Sequence, residues 1–127
     1  MNRSGDLFAE EPREAPDLPG LAVLRGLALK SEPVLLADLA VVIAAAPWRH
    51  MLTPCGQRMS AAMTNCGEAG WVSDRRAYRY APLDPLSGAA WPALPASLRE
   101  LARRAADLVG FPGFDPDVCL VNRLFTR

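Results

Sequence analysis

The sequence predicts an α+β chain, and three features of it do so. Two stretches carry helix-start chemistry ahead of apolar runs, at Ser31-Glu32-Pro33 and at Ser97-Leu98-Arg99-Glu100. Between them, Met59–Thr64 alternates loosely as a short strand, the Asn65-Cys66-Gly67 turn follows, and a second strand runs through Tyr80, which is the pattern of a hairpin with a long tip. A further alternating strand closes the sequence at Val118–Leu124.

In chain order, residues 1–19 are acidic and proline-rich, with Pro12, Pro16 and Pro19 among alternating acids. Such a segment buries too little apolar surface to order itself, and Leu7-Phe8 is its one apolar anchor. From Gly20, LAVLRGLAL reads as a strand broken at Gly26. Ser31 is placed to cap the first helix, and Pro33 is tolerated in a first turn, where amides lack intrahelical partners. That helix is expected to run to about Ala46 and stop at Pro47, its Val34, Leu35, Leu36, Leu39, Val42 and Ile43 making a wide apolar face suited to a sheet. Pro82, Pro85, Pro92 and Pro95 punctuate a connection around Trp91. The S-x-x-E capping box at Ser97 opens a second helix, about 97–109, which Gly110 ends. FPGFDPD is a turn, and in the last strand Val118, Leu120 and Asn122 share a face. Residues 20–127 therefore read as one domain.

Composition narrows the function classes. At 127 residues, half of them hydrophobic, the chain is long enough for one modest core. No apolar run reaches the roughly 18 to 20 residues of a membrane span, and the acidic start is no signal peptide, so the expected location is cytoplasmic. Cys55, Cys66 and Cys119 are odd in number and form no C-x-x-C pair, which signals reduced, mostly buried thiols. Formal net charge is zero, which argues against a general polyanion binder. The charge is uneven, however. Residues 1–20 set Arg3 and Arg13 against five acids, whereas residues 48–80 set Arg49, Arg58, Arg75, Arg76 and Arg79 against Glu68 and Asp74.

The positive stretch is also the aromatic one. Trp71 follows Gly67-Glu68-Ala69-Gly70, a bend that would carry its indole on a loop, and Tyr78-Arg79-Tyr80 comes seven residues later. Strand alternation would send the two tyrosines to one face and Arg79 to the other. An arbitrary tryptophan more often packs a loop on a core, paired tyrosines are often a cross-strand pair, and Met59 and Met63 taken alone are most simply core. Aromatics, thioethers and guanidinium groups gathered around two glycine turns suit a nucleobase and its phosphate instead.

The order and spacing of Thr53-Pro54, Met59-Ser60, Ala62-Met63-Thr64-Asn65-Cys66-Gly67, Gly70-Trp71, Tyr78, Tyr80-Ala81-Pro82 and Asp84-Pro85 resemble the nucleotide-recognition lid of the AlkB family of iron(II)- and 2-oxoglutarate-dependent nucleic-acid dealkylases. The likeness extends from about Asp6 to Arg123. It implies the N-terminal helices, strands and lid hairpin (about 53–82) of a double-stranded β-helix dioxygenase, with Val118–Leu124 its first barrel strand, truncated before the barrel is complete. It implies oxidative removal of alkyl groups from single-stranded DNA or RNA as the activity of the complete enzyme. Trp71 would stack on the flipped base, Met59 and Met63 would form an adaptable wall, and Thr53, Tyr78, Arg79 and Tyr80 would hold phosphate or sugar. Gln57 departs from the family, which commonly has a tyrosine there.

Asn122-Arg123-Leu124 matches the family's Asn-Arg-Tyr, where asparagine and tyrosine hold 2-oxoglutarate. Leu124 has no hydroxyl, and Phe125-Thr126-Arg127 departs from the family pattern. Iron of this class needs two histidines and a carboxylate, and His50 is the single histidine, outside any H-x-D spacing. The chain is expected to hold no iron and to be inactive alone, and an uncovered strand at 118–124 is expected to invite self-association. Two further readings stay open: a stand-alone nucleic-acid-binding module or inert remnant, and an unrelated small α+β domain whose aromatics are all core.

Overall fold

A computed structural model describes residues 19–124. Residues 1–18, which hold the acidic segment's Leu7-Phe8 anchor, and the last three residues lie outside the described residues. The elements are α1 (Glu32–Ala45), β1 (Ala62–Gly67), β2 (Gly70–Ser73), β3 (Tyr78–Ala81), α2 (Ala96–Leu108) and β4 (Val118–Arg123). The chain divides into two compact units. One runs to Leu36 and takes in Ala96–Asp115; the other comprises Ala37–Pro95 and continues from Pro116.

In the first unit, the strand expected after Gly20 is reduced to a single bridged residue, Val23. Arg25–Lys30 is a run of turns held by bonds such as the Leu29 amide to the Gly26 carbonyl, 3.2 Å, and the Ser31 amide to the Ala28 carbonyl, 3.2 Å. Gly26, at φ 69°, supplies the left-handed residue that turns the chain, so the glycine read as a break in a strand is what prevents one. Of the two helices among the described residues, α1 follows these turns directly. α1 ends beside Pro47 as expected. α2 begins one residue before Ser97, and an ion pair joins its Arg99 to Asp115 at 2.5 Å.

The second unit holds two antiparallel two-stranded sheets, β1 with β4 and β2 with β3. Asn65, Cys66 and Gly67, expected as a turn, are the end of β1, and Met59 lies outside that strand. Their polar character misleads because all three face partners: Asn65 opposes Leu120, Cys66 opposes Cys119, and Gly67 opposes Val118. A Cβ on Gly67 would collide with the Asp117 carbonyl, and its φ is 117°, so only glycine lets β4 approach there.

The core of this unit is Ala46, Met51, Val72 and Trp91, with Met59, Met63, Trp71 and Ala81 packed against it. The flank of α1 does not form the expected apolar layer on a sheet. Of that face Leu35 and Val42 are buried and Leu39 and Ile43 half-buried, but Val34 and Leu36 are 56% and 57% exposed. It is the end of the helix that is tied down, where the Thr64 hydroxyl donates to the Ala46 carbonyl. Trp91 anchors the core: its indole N–H donates to the Ala81 carbonyl at 2.9 Å, and a Cβ on Gly70 would strike its ring. Of the cysteines, Cys66 is buried, whereas Cys55 is exposed, contrary to the expectation of mostly buried thiols.

Candidate nucleobase site

β2 and β3 put the aromatic residues on one face. Trp71 opposes Tyr80 and Ser73 opposes Tyr78, so Tyr78 is the diagonal neighbour of Trp71, within aromatic reach. The Trp71 and Tyr78 rings stack with centroids 5.7 Å apart and planes 17° from parallel. The other face carries Val72, which is buried in the core. Trp71 thus stands within a strand, not on the bend expected, and the bend is reduced to Glu68-Ala69 between β1 and β2.

Trp71 and Tyr80 line a cleft of about 640 Å³ together with Ala69, Asp117, Val118 and Leu120. The volume falls in the range of small-molecule pockets. Val118 and Leu120 share a face of β4, as read from the sequence; Asp117 and Ala69 were not singled out as site residues. The signal for them lay in topology, since β4 reaches the cleft only through its pairing with β1.

The remaining predicted residues are dispersed. Met59 and Met63 pack on the core cluster and do not line the cleft. Thr53 closes a turn, its Oγ1 accepting from the Gln57 amide at 3.0 Å. Arg79 makes a two-pronged ion pair with Asp74, both contacts 2.9 Å, and the guanidinium holds that carboxyl far below its usual range. Its charge is therefore already met at the hairpin tip, where Arg75 and Arg76 are exposed. Arg49 is also engaged: it grips Asp84 at 2.5 and 3.0 Å and lies 5.1 Å above the Trp91 ring. Burial opposes the charge on Asp84, yet Arg49 and the Leu86 amide hold its pKa below the ordinary value.

On β4, Asn122 opposes Met63 and shares the face of Leu120, whereas Arg123 opposes Ala62, on the other face, with its guanidinium 4.9 Å over Trp48. Leu124 is exposed and apolar. Asn122 keeps a carboxamide and Arg123 a guanidinium, either able to donate to a carboxylate, whereas Leu124 offers no polar side-chain atom. Iron does not fit: no three His, Cys, Asp or Glu side chains come together among the described residues, and His50 Nδ1 lies 3.0 Å from the Met59 carbonyl.

Residues 20–124 match the model of the 2OG-Fe(II) oxygenase superfamily, and the chain belongs to that superfamily, whose members use iron(II) and 2-oxoglutarate. Within it the similarity is to AlkB. The chain is 49% identical over 119 residues to the alpha-ketoglutarate-dependent dioxygenase AlkB of Salmonella typhimurium and 45% identical over 119 residues to that of Escherichia coli, covering 93% of this chain and 55% of each relative. An AlkB homolog of Caulobacter vibrioides is 37% identical over 106 residues, covering 83% of this chain and 46% of the relative. The chain spans about half the length of the curated relatives it matches. The open two-stranded sheets are compatible with part of the oxygenase fold, and no helix among the described residues is long and apolar enough to cross a membrane.

Proposed function

We propose that this chain grips an alkylated nucleobase in a single strand for an AlkB-type oxidative dealkylation. The observation that carries the reading is the cleft walled by Trp71 and Tyr80, with Tyr78 stacked behind the indole. A base out of its helix is held by stacking on such rings. Single strands are the expected substrate form because a duplex adds an unpairing cost of a few kcal/mol. Exposed Arg58, Arg75 and Arg76 supply phosphate contacts, which position the strand without reading its sequence.

The oxidising chemistry in this family comes from iron(II) with 2-oxoglutarate. The described residues do not assemble iron ligands, so the chain's own contribution is binding and orientation, and as a separate molecule it acts as a binding module. β4 pairs only with β1 among the described residues, and we read its other edge as a site for self-association. Sedimentation velocity across a concentration series tests that edge; a constant monomer would remove it.

The test of the main reading is fluorescence anisotropy with a labelled single-stranded oligonucleotide bearing one methylated base, against its duplex and against the unmodified strand. Binding should favour the methylated single strand and weaken with added salt as counterions compete. Equal affinity for all three forms, or none for any, would overturn it.

A further inference from the structure

Asn65 is wholly buried in β1, and its carboxamide is committed to one residue. Nδ2 donates to the Trp71 carbonyl at 2.9 Å, and Oδ1 accepts from the Trp71 amide at 3.0 Å. β1 and β2 belong to different sheets, so the side chain stands where a neighbouring strand would stand. A carboxamide carries a donor and an acceptor in one plane, like the peptide group it replaces. Aspartate lacks the donor at neutral pH, and a hydroxyl offers only one atom to meet two groups.

The contact also decides how Trp71 meets β3. In an antiparallel strand the N–H and C=O of one residue point to the same side. Those of Trp71 face Asn65 and hence away from β3, which makes Trp71 opposite Tyr80 a non-hydrogen-bonded pair, the kind whose side chains approach more closely. Thus Asn65 fixes which edge of β2 the Trp71 backbone turns toward, with Trp71 and its register partner Tyr80 both lining the cleft.

We propose that Asn65 is a positioning residue for base recognition, holding the Trp71 backbone so that the indole presents its face to the cleft. This rests on the reading of Trp71 as the stacking platform. Asn65 touches no base itself; it removes the freedom of the strand that carries the ring.

Two measurements separate this inference from the reading beneath it. In the isotope-labelled chain, the Trp71 amide should be protected from hydrogen exchange, and in Asn65→Ala it should lose protection while the β1–β4 ladder keeps its own. For affinity, Trp71→Ala should weaken oligonucleotide binding about 5- to 150-fold, the range set by stacking on one base. Asn65→Ala should weaken it several-fold, no further than Trp71→Ala does, and should cost nothing more when added to Trp71→Ala. Equal losses on both backgrounds, or an amide equally protected in the variant, would overturn the inference. Should Asn65→Ala not fold, Asn65→Asp serves the same comparisons, and a rapidly exchanging Trp71 amide in the wild type is by itself contrary. Absence of binding by wild type, with an Asn65-dependent Trp71 amide, would overturn the stacking reading and the recognition role with it, leaving only the clamp.

Discussion

The indole of Trp71 and the phenol ring of Tyr78 lie 5.7 Å apart and 17° from parallel, although they oppose different residues in the β2–β3 pair. Diagonal neighbours across two strands are separated by more than directly opposed ones, and only large rings bridge that gap. Tyr78 therefore backs the indole, leaving Tyr80, directly opposite Trp71, to share the cleft wall with it. Tyr78→Phe should preserve the stack and the fold; Tyr78→Ala should release the indole.

Trp71→Ala should reduce oligonucleotide affinity by roughly 1–3 kcal/mol, and should also lower the melting temperature because the indole packs on the core. Anisotropy titrations at two salt concentrations measure it. A folded variant that binds like wild type would turn the assignment toward a structural tryptophan.

Gly70→Ala is expected to destabilise the second unit by about 1–3 kcal/mol, the usual cost of overpacking a well-filled site. The added methyl would strike the Trp91 indole, which is itself held by its bond to the Ala81 carbonyl. Urea unfolding followed by tryptophan fluorescence reads the change. An unaltered midpoint would mean that Trp91 yields without cost.

Arg49→Met should cost about 3–5 kcal/mol at neutral pH, because it leaves the Asp84 carboxylate buried without its cation; Asp84 is 2% exposed. The sign with pH follows from the lowered pKa of Asp84 in the fold. Its stabilisation is present above the unfolded carboxyl value of about 4 and is lost as pH falls through the lower folded value. In the variant the carboxyl protonates more readily, so the gap between the two proteins should narrow below about pH 4. Denaturant midpoints across an acid pH series check this; a gap that widens toward acid is the contrary result.

The chain alone should release no formaldehyde from a methylated single-stranded oligonucleotide supplied with iron(II) and 2-oxoglutarate. A facial site needs two imidazoles, and the sequence contains one histidine. Turnover above a metal-free control by pure chain would refute this, as would a tight stoichiometric iron(II) site in a titration.

Residue chemistry made much of this legible. Helix ends at Pro47 and Gly110 follow from a missing amide and a left-handed residue, and the tyrosine alternation in Tyr78-Arg79-Tyr80 follows from the two-residue period of a strand. The aromatic candidates Trp71 and Tyr80 do share a cleft. Misreadings arose where a local signal had a distant cause. Asn65-Cys66-Gly67 has turn chemistry, but β4 pairs with it and makes it strand. Arg79 has phosphate chemistry, but Asp74 takes up its guanidinium.

By itself the sequence determined which residues have binding chemistry, where the helices stop, and that a single histidine is present, because these depend on residue type and near-neighbour spacing. Only the tertiary structure decided that Asp117, Val118 and Leu120 complete the cleft, that Arg49 is bound to Asp84 across 35 positions, and that Asn65 serves the Trp71 backbone. Those relations arise from strand pairing and burial. Folding brings distant groups to hydrogen-bond distance, and a buried polar group must then take whatever partner lies there.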